Sequence, residues 1–202
     1  KDKFLEMSVS PYKAPDAATE VSVDFEAGVP VAVNGEKMKV SQIIAKLNEL
    51  GGANGIGILD IVENRLIGMK DHGIYETPGG TILYFAHEQL EMLTLDKETA
   101  HMKSKLAVDY ADLIYNGKWF SPLAEALTAF AKKANENCTG TVKLKLYKGN
   151  MINAGITSPN SLYSEELVTF GESDFDQAQA VGFINIWGLP TKVQSLLKSG
   201  KL

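Results

Sequence analysis

The stretch Thr141–Tyr147 alternates strictly. Val142, Leu144 and Leu146 are apolar, and Lys143 and Lys145 between them are charged. Successive side chains of a strand point to opposite faces, so this is a strand with one face toward a core and one toward water. Gly149-Asn150 then suits a tight turn, and Met151–Ile156 returns. Glu20–Phe25 repeats the pattern with Val21, Val23 and Phe25 on one face. Ala27-Gly28 turns it back into Val29–Val33, with Pro30 near the start and Asn34-Gly35 at the close. Two such hairpins commit the chain to an antiparallel sheet whose apolar face must be covered.

Helices are available to cover it. Ser41 is a candidate N-cap for a helix carrying Ile43, Ile44, Leu47 and Leu50, which Gly51-Gly52 would end. A second is expected over Thr81–Leu93, and a third from an Asp96 cap to Gly117. Ser121-Pro122 opens a fourth, striped by Leu123, Leu127 and Phe130. These helices read as core packing. Leu162–Phe170 is ambiguous between helix and strand, and Asp174 is a candidate cap for a last helical stretch that Pro190 breaks or kinks. Beyond it Val193, Leu196 and Leu197 form one stripe of a tail helix, and residues 1–19 read as a segment packed on a neighbouring surface. The expected fold class is α+β: an antiparallel sheet of about five strands packed with several long helices, plus a C-terminal helical tail. The division expected is 1–175 and 176–202.

Composition narrows the function. The 202 residues are 45% hydrophobic and 22% charged, which suits a globular chain. A net charge of -5 with scattered lysines argues against nucleic acid, and no apolar run is long enough to span a membrane. Cys138 is alone, so a reducing, cytoplasmic setting is expected, and Asn137-Cys138-Thr139 is a chance match to a glycosylation pattern. Gly55 and Gly57 follow a helix and precede a strand, the reverse of a dinucleotide fingerprint. His87-Glu88-x-x-Glu91 lacks the second histidine of a zinc-protease helix and reads as a solvated helix face.

The candidate site lies in Asp60–Lys70, which runs on through Gly73 to Thr81. Ile58, Leu59, Ile61, Val62, Leu66 and Ile67 have the content of a buried strand. Glu63 and Arg65 share one face of it and Asp60 takes the other. Turns at Gly73 and Pro78-Gly79-Gly80 would leave Tyr75, Glu76 and Thr77 in a loop before a helix N-terminus, where free N–H groups commonly hold a polar ligand. Arg65 is the only arginine, hence the one side chain suited to two-pronged recognition of a carboxylate. On residue types alone, Glu63 and Arg65 read first as an ion pair beside an ordinary loop.

The words of this stretch, Asp-Ile-Val-Glu-Asn-Arg from Asp60 and Gly-Ile-Tyr-Glu-Thr-Pro-Gly-Gly-Thr from Gly73, resemble the C-terminal domain of argininosuccinate synthases. So do Gly28-Val-Pro-Val, Leu113-Ile-Tyr-Asn-Gly, Trp119-Phe-Ser-Pro, Ser158-Pro-Asn-Ser-Leu-Tyr and Gly182-Phe-Ile-Asn-Ile-Trp-Gly. The resemblance covers about Phe4 to Val193.

It implies an ATP-dependent ligase of arginine biosynthesis that joins citrulline to aspartate and releases AMP and pyrophosphate. It implies that Glu63 and Tyr75 contact citrulline; no catalytic or metal-ligating residue is assigned. In the family, ATP, expected as Mg-ATP, is held by an N-terminal domain with a Ser-Gly-Gly-Leu-Asp-Thr-Ser loop. That loop is absent from this sequence, so the expectation is a C-terminal part, inactive alone, that supplies pocket and oligomer surface to a homotetramer. Neither nucleic acid nor membrane is an expected partner. A free-standing amino-acid-binding or scaffold domain is the alternative. Three arginines common in the family are replaced, by Ile58, His72 and Ile156.

Overall fold

The computed structural model describes residues 4–168 and 176–202. It divides into two compact units, residues 1–162 and 163–202.

The first unit is built on a five-stranded antiparallel sheet. Its strands are β1 (Thr19–Glu26), β2 (Val29–Val33), β3 (Glu36–Lys37), β6 (Gly140–Tyr147) and β7 (Asn150–Thr157), in the order β3-β2-β1-β6-β7. The alternation sets the register: Val21 lies opposite Leu144 and Val23 opposite Val142. All four are buried, while Lys143 and Lys145 face out. The β6–β7 turn sits one residue earlier than expected, on Lys148 and Gly149, both with positive φ. Helices α1 (Val40–Ala53) and α2 (Pro78–Thr94) cover the apolar face with Ile43, Leu47, Ile82, Ala86 and Leu90.

Several helix boundaries differ from expectation. The start of α1 is held by Gln42, whose side chain accepts from the Lys39 N–H at 2.9 Å; Ser41 is already inside the helix. Gly51 and Gly52 do not end α1 but sit in its last turn, buried. A Cβ on Gly51 would come within 2.9 Å of Pro78, and one on Gly52 would collide with the Met7 carbonyl. These glycines are needed for close packing. The second helix begins at Pro78, with proline in its first turn, rather than at Thr81.

The helices α3 (Lys97–Tyr115) and α4 (Pro122–Ala134) have the expected caps, Asp96 accepting from Thr99 N–H at 2.9 Å and Ser121 from Ala124 N–H at 3.3 Å. They are not core helices: α3 buries no residue fully, and α4 buries Ala124 while Leu123 is exposed. Their apolar faces border a groove of about 500 Å³ lined by Tyr84, Tyr110 and Phe130. Nor are His87 and Glu91 on a solvated face. Both side chains are largely covered, and Glu91 Oε1 lies 2.7 Å from Lys103 Nζ of α3 and 3.1 Å from His87 Nδ1. Burial pushes the Glu91 carboxyl up, but bonds and charge from His87 and Lys103 outweigh this and hold it below the usual range.

In the second unit the ambiguous stretch is helical over α5 (Glu165–Val168). Residues 162–164 before it are neither helix nor strand, while residues 169–170 and Asp174 lie outside the described residues. Asp176 caps a short 3₁₀ turn, and α6 (Ala180–Trp187) and α7 (Leu189–Lys198) follow. The helical stretch breaks at Gly188, two residues before Pro190, and Pro190 lies in the first turn of α7, a position that suits proline. No described helix is long and apolar enough to cross a membrane.

Candidate functional site

The candidate residues sit on a separate two-stranded antiparallel ribbon of β4 (Ile58–Asn64) and β5 (Lys70–Glu76). Residues 65–69 form its turn, in which Arg65 N–H donates to the Met69 carbonyl at 2.7 Å. The sequence suggested one buried strand and a ligand loop. Instead Gly73, Tyr75 and Glu76 are all in β5, and the ribbon exposes Leu59, Val62, Leu66, Ile67, Met69 and Ile74. The apolar, β-branched content made the strand legible, but its second half is a turn, and these six side chains stay exposed among the described residues.

Register sorts the side chains. Leu59 lies opposite Tyr75, Ile61 opposite Gly73 and Glu63 opposite Asp71, so these six share one face. On it the Tyr75 phenol donates to the Glu63 carboxylate and Arg65 pairs with Asp71. Arg65 and Glu63 are thus on one face as the sequence suggested, but Arg65 takes Asp71 as its partner. The phenol would lose its bond to Glu63 on losing its proton. That bond, with partial burial and the Glu63 charge added, pushes the Tyr75 hydroxyl above its ordinary value. The Asp71 bond and charge likewise raise the Arg65 guanidinium.

The opposite face has a different chemistry. His72 Nε2 lies 2.6 Å from Asp60 Oδ1, within hydrogen-bond reach across the ribbon. Glu76 turns away from solvent to accept from three consecutive backbone N–H groups, those of Glu6, Met7 and Ser8, at 2.7, 3.1 and 2.7 Å. Partial burial pushes its carboxyl up; the three backbone bonds together win and hold it below the ordinary 4.5.

The junction between β5 and α2 is not a ligand loop. Thr77 N–H donates to the Gly57 carbonyl at 2.9 Å, Gly79 N–H to Asn48 Oδ1 at 2.8 Å and Thr81 N–H to the Thr77 carbonyl at 2.9 Å. These three donors are occupied by the chain itself and are not free to hold a ligand. Sequence reading missed Asp71, Glu76 and the role of Gly73, which it took for a turn. The two-residue spacing of Asp71, Gly73 and Tyr75 was the signal that could have placed them together.

Residues 1–194 match the arginosuccinate synthase C-terminal domain family. The chain belongs to the argininosuccinate synthase family. It is 57% identical to the argininosuccinate synthase of Desulforamulus reducens over 96% of this chain and 49% of that protein. The match to the Moorella thermoacetica enzyme is 58%, over 93% of this chain and 46% of the relative. That to the Carboxydothermus hydrogenoformans enzyme is 59%, over 96% and 49%. The chain spans about half the length of the curated relatives it matches.

Proposed function

We propose that this chain is the citrulline-binding and assembly half of a ligase that condenses citrulline with aspartate at the expense of ATP. The observation that carries the reading is the Tyr75–Glu63 pair, held on one face of an exposed ribbon in a chain of this family. In the proposed reaction the citrulline ureido oxygen attacks the α-phosphate of ATP and expels pyrophosphate. The aspartate amine then displaces AMP from the activated carbon.

The groups of this chain act on citrulline alone. The Glu63 carboxylate accepts from the substrate ammonium, a charge-assisted bond. The Tyr75 phenol, already directed at Glu63, donates to whichever carboxylate oxygen the complex leaves available. ATP and its magnesium are assigned to the part of the enzyme that carries a phosphate loop; in the glycine-containing junction here the Thr77, Gly79 and Thr81 N–H groups bond within the chain. The test is steady-state kinetics of the full-length enzyme: Glu63→Gln and Tyr75→Phe should raise the Michaelis constant for citrulline and leave that for ATP nearly unchanged. Equal effects on both would refute the assignment. The 202-residue chain by itself, given ATP, citrulline and aspartate, should release no pyrophosphate.

Assembly as a homotetramer, in the cytoplasm, belongs to the same proposal. In the second unit α6 exposes Phe183, Ile184, Ile186 and the Trp187 ring stacked on Phe183, and α7 exposes Val193 and Leu197. Apolar surface of this extent calls for a cover, and a second copy supplies it. Deleting residues from Thr191 onward should lower the mass seen in light scattering. An unchanged mass would move the interface away from the tail.

A further inference from the structure

Tyr75 and Glu63 are bonded but are not neighbours in the ribbon. Tyr75 is opposite Leu59, and Glu63 is opposite Asp71. Four residues of strand separate Tyr75 from the level of Glu63, about 14 Å at roughly 3.4 Å per residue. The two side chains meet across that gap only if Glu63 reaches toward Tyr75 and the phenol lies along the strand, over the residue two places before it on the same face. That residue is Gly73. A Cβ built there would stand 2.7 Å from Tyr75 Cε2, 2.9 Å from Cζ and 3.0 Å from the hydroxyl oxygen. No two unbonded carbons approach so closely. The Gly73 backbone is not in the left-handed region, so its conformation would suit any residue; what demands glycine is room for the ring.

We propose that Gly73 is a positioning residue for the tyrosine–carboxylate pair: its bare Cα is the bed that lets the Tyr75 ring lie flat and reach Glu63. The added methyl of alanine meets the free end of a side chain that can rotate away, so the strand survives and the ring lifts. The bond to Glu63 is then lost. Where the citrulline reading above holds, Gly73 sets the geometry of the substrate contact without touching the substrate.

The first test is nuclear magnetic resonance on the isotope-labelled 202-residue chain. In the wild type the Gly73 Hα resonances should be shifted upfield by the ring above them and return to ordinary positions in Tyr75→Leu. Unshifted Hα resonances in the wild type overturn the proposal, with no Gly73 variant needed. Gly73→Ala should lower the titration midpoint of the Tyr75 hydroxyl as far as Glu63→Gln does. His72→Ala, next in sequence but on the other face, should not. A midpoint unmoved by Gly73→Ala in a ribbon whose amides remain protected also overturns it. In the full-length enzyme Gly73→Ala should raise the citrulline Michaelis constant roughly tenfold while sparing that for ATP. If the hydroxyl responds and the citrulline constant does not, the ring's bed stands and the citrulline assignment falls.

Discussion

The five-stranded sheet and the two-stranded ribbon use the same residue types for opposite ends. Both are rich in Val, Ile and Leu, though only β1 and β6 of the sheet alternate strictly. In the sheet, Val21, Val23, Val142, Leu144 and Leu146 vanish beneath α1 and α2. In the ribbon, Val62, Leu66, Ile67 and Met69 remain at the surface. A two-stranded hairpin alone is marginal in water. This one is tied at its base, where Glu76 grips residues 6–8 and Thr77 N–H bonds to Gly57. Apolar, β-branched content thus specifies a strand; it does not specify what lies over it. A surface left uncovered beside a polar pair is where a substrate or another part of the enzyme can bind.

The sharpest contrast comes from cutting into the sheet. Leu144 is fully buried at its centre. Leu144→Ala removes its methyl groups and leaves a cavity that α1 and α2 cannot close. Denaturant unfolding should show a loss of about 2–5 kcal/mol. A loss well below that range would mean the sheet is no better packed than the ribbon.

Next comes the ribbon's binding role. Glu63→Gln keeps the shape and removes the charge, so citrulline binding by the full-length enzyme should weaken by about 1.5–3 kcal/mol. That is a rise of roughly 10- to 100-fold in the Michaelis constant. The same variant should leave the unfolding midpoint of the sheet where it is.

The division between the two regions also shows how far the sequence could be read. The hairpins were legible because each alternates against a turn of Gly or Asn, and the face to be buried followed from Val21, Val23, Val142 and Leu144. The caps at Asp96 and Ser121 were legible because those side chains bond locally. What escaped depended on contacts distant in sequence. Gly51 and Gly52 look like a helix stop, yet they are the place where residues 7 and 78 pack. Gly73 looks like a turn but lies mid-strand. Glu63 and Tyr75 came from a resemblance of words, and the residues alone gave no reason to choose Tyr75 over Arg65 as the partner of Glu63. The exposure of α3 and α4 was hidden because an amphipathic helix carries the same stripe whether its cover is its own sheet or something else.

The anchor at the ribbon's base should respond to acid. The Glu76 carboxyl is held below its ordinary 4.5 in the folded chain. A depressed carboxyl contributes stability that is complete above the unfolded value and fades as pH falls through the folded one. Amide protection in β4 and β5 should therefore be flat at pH above about 4.5 and decline below it. Glu76→Gln should remove that decline and loosen the ribbon at neutral pH by roughly 1–2 kcal/mol, near the low end for charge-assisted bonds because the group is only partly covered. If the sheet amides lose protection to the same extent as those of the ribbon, Glu76 is not a local anchor.

The smallest effect is the most direct check on the comparison, because one substitution can be made in both places. Val62 and Val142 are each inside a strand and each opposite a partner, His72 and Ile156. Val62 is 65% exposed, and Val142 is 0%. Threonine has the same branched shape and a comparable strand preference, so the exchange adds a hydroxyl and little else. At Val142 the hydroxyl enters an apolar core, and the cost should be about 1–3 kcal/mol. At Val62 it meets water, and stability should change by no more than about 0.5 kcal/mol. The measurement is denaturant unfolding of Val62→Thr and Val142→Thr side by side, repeated over a range of protein concentration. A cost at Val62 that matches Val142 and grows with concentration would mean that a second copy covers this face of the ribbon. A near-zero cost at every concentration leaves the ribbon as a surface whose apolar side chains serve binding and contribute little to folding.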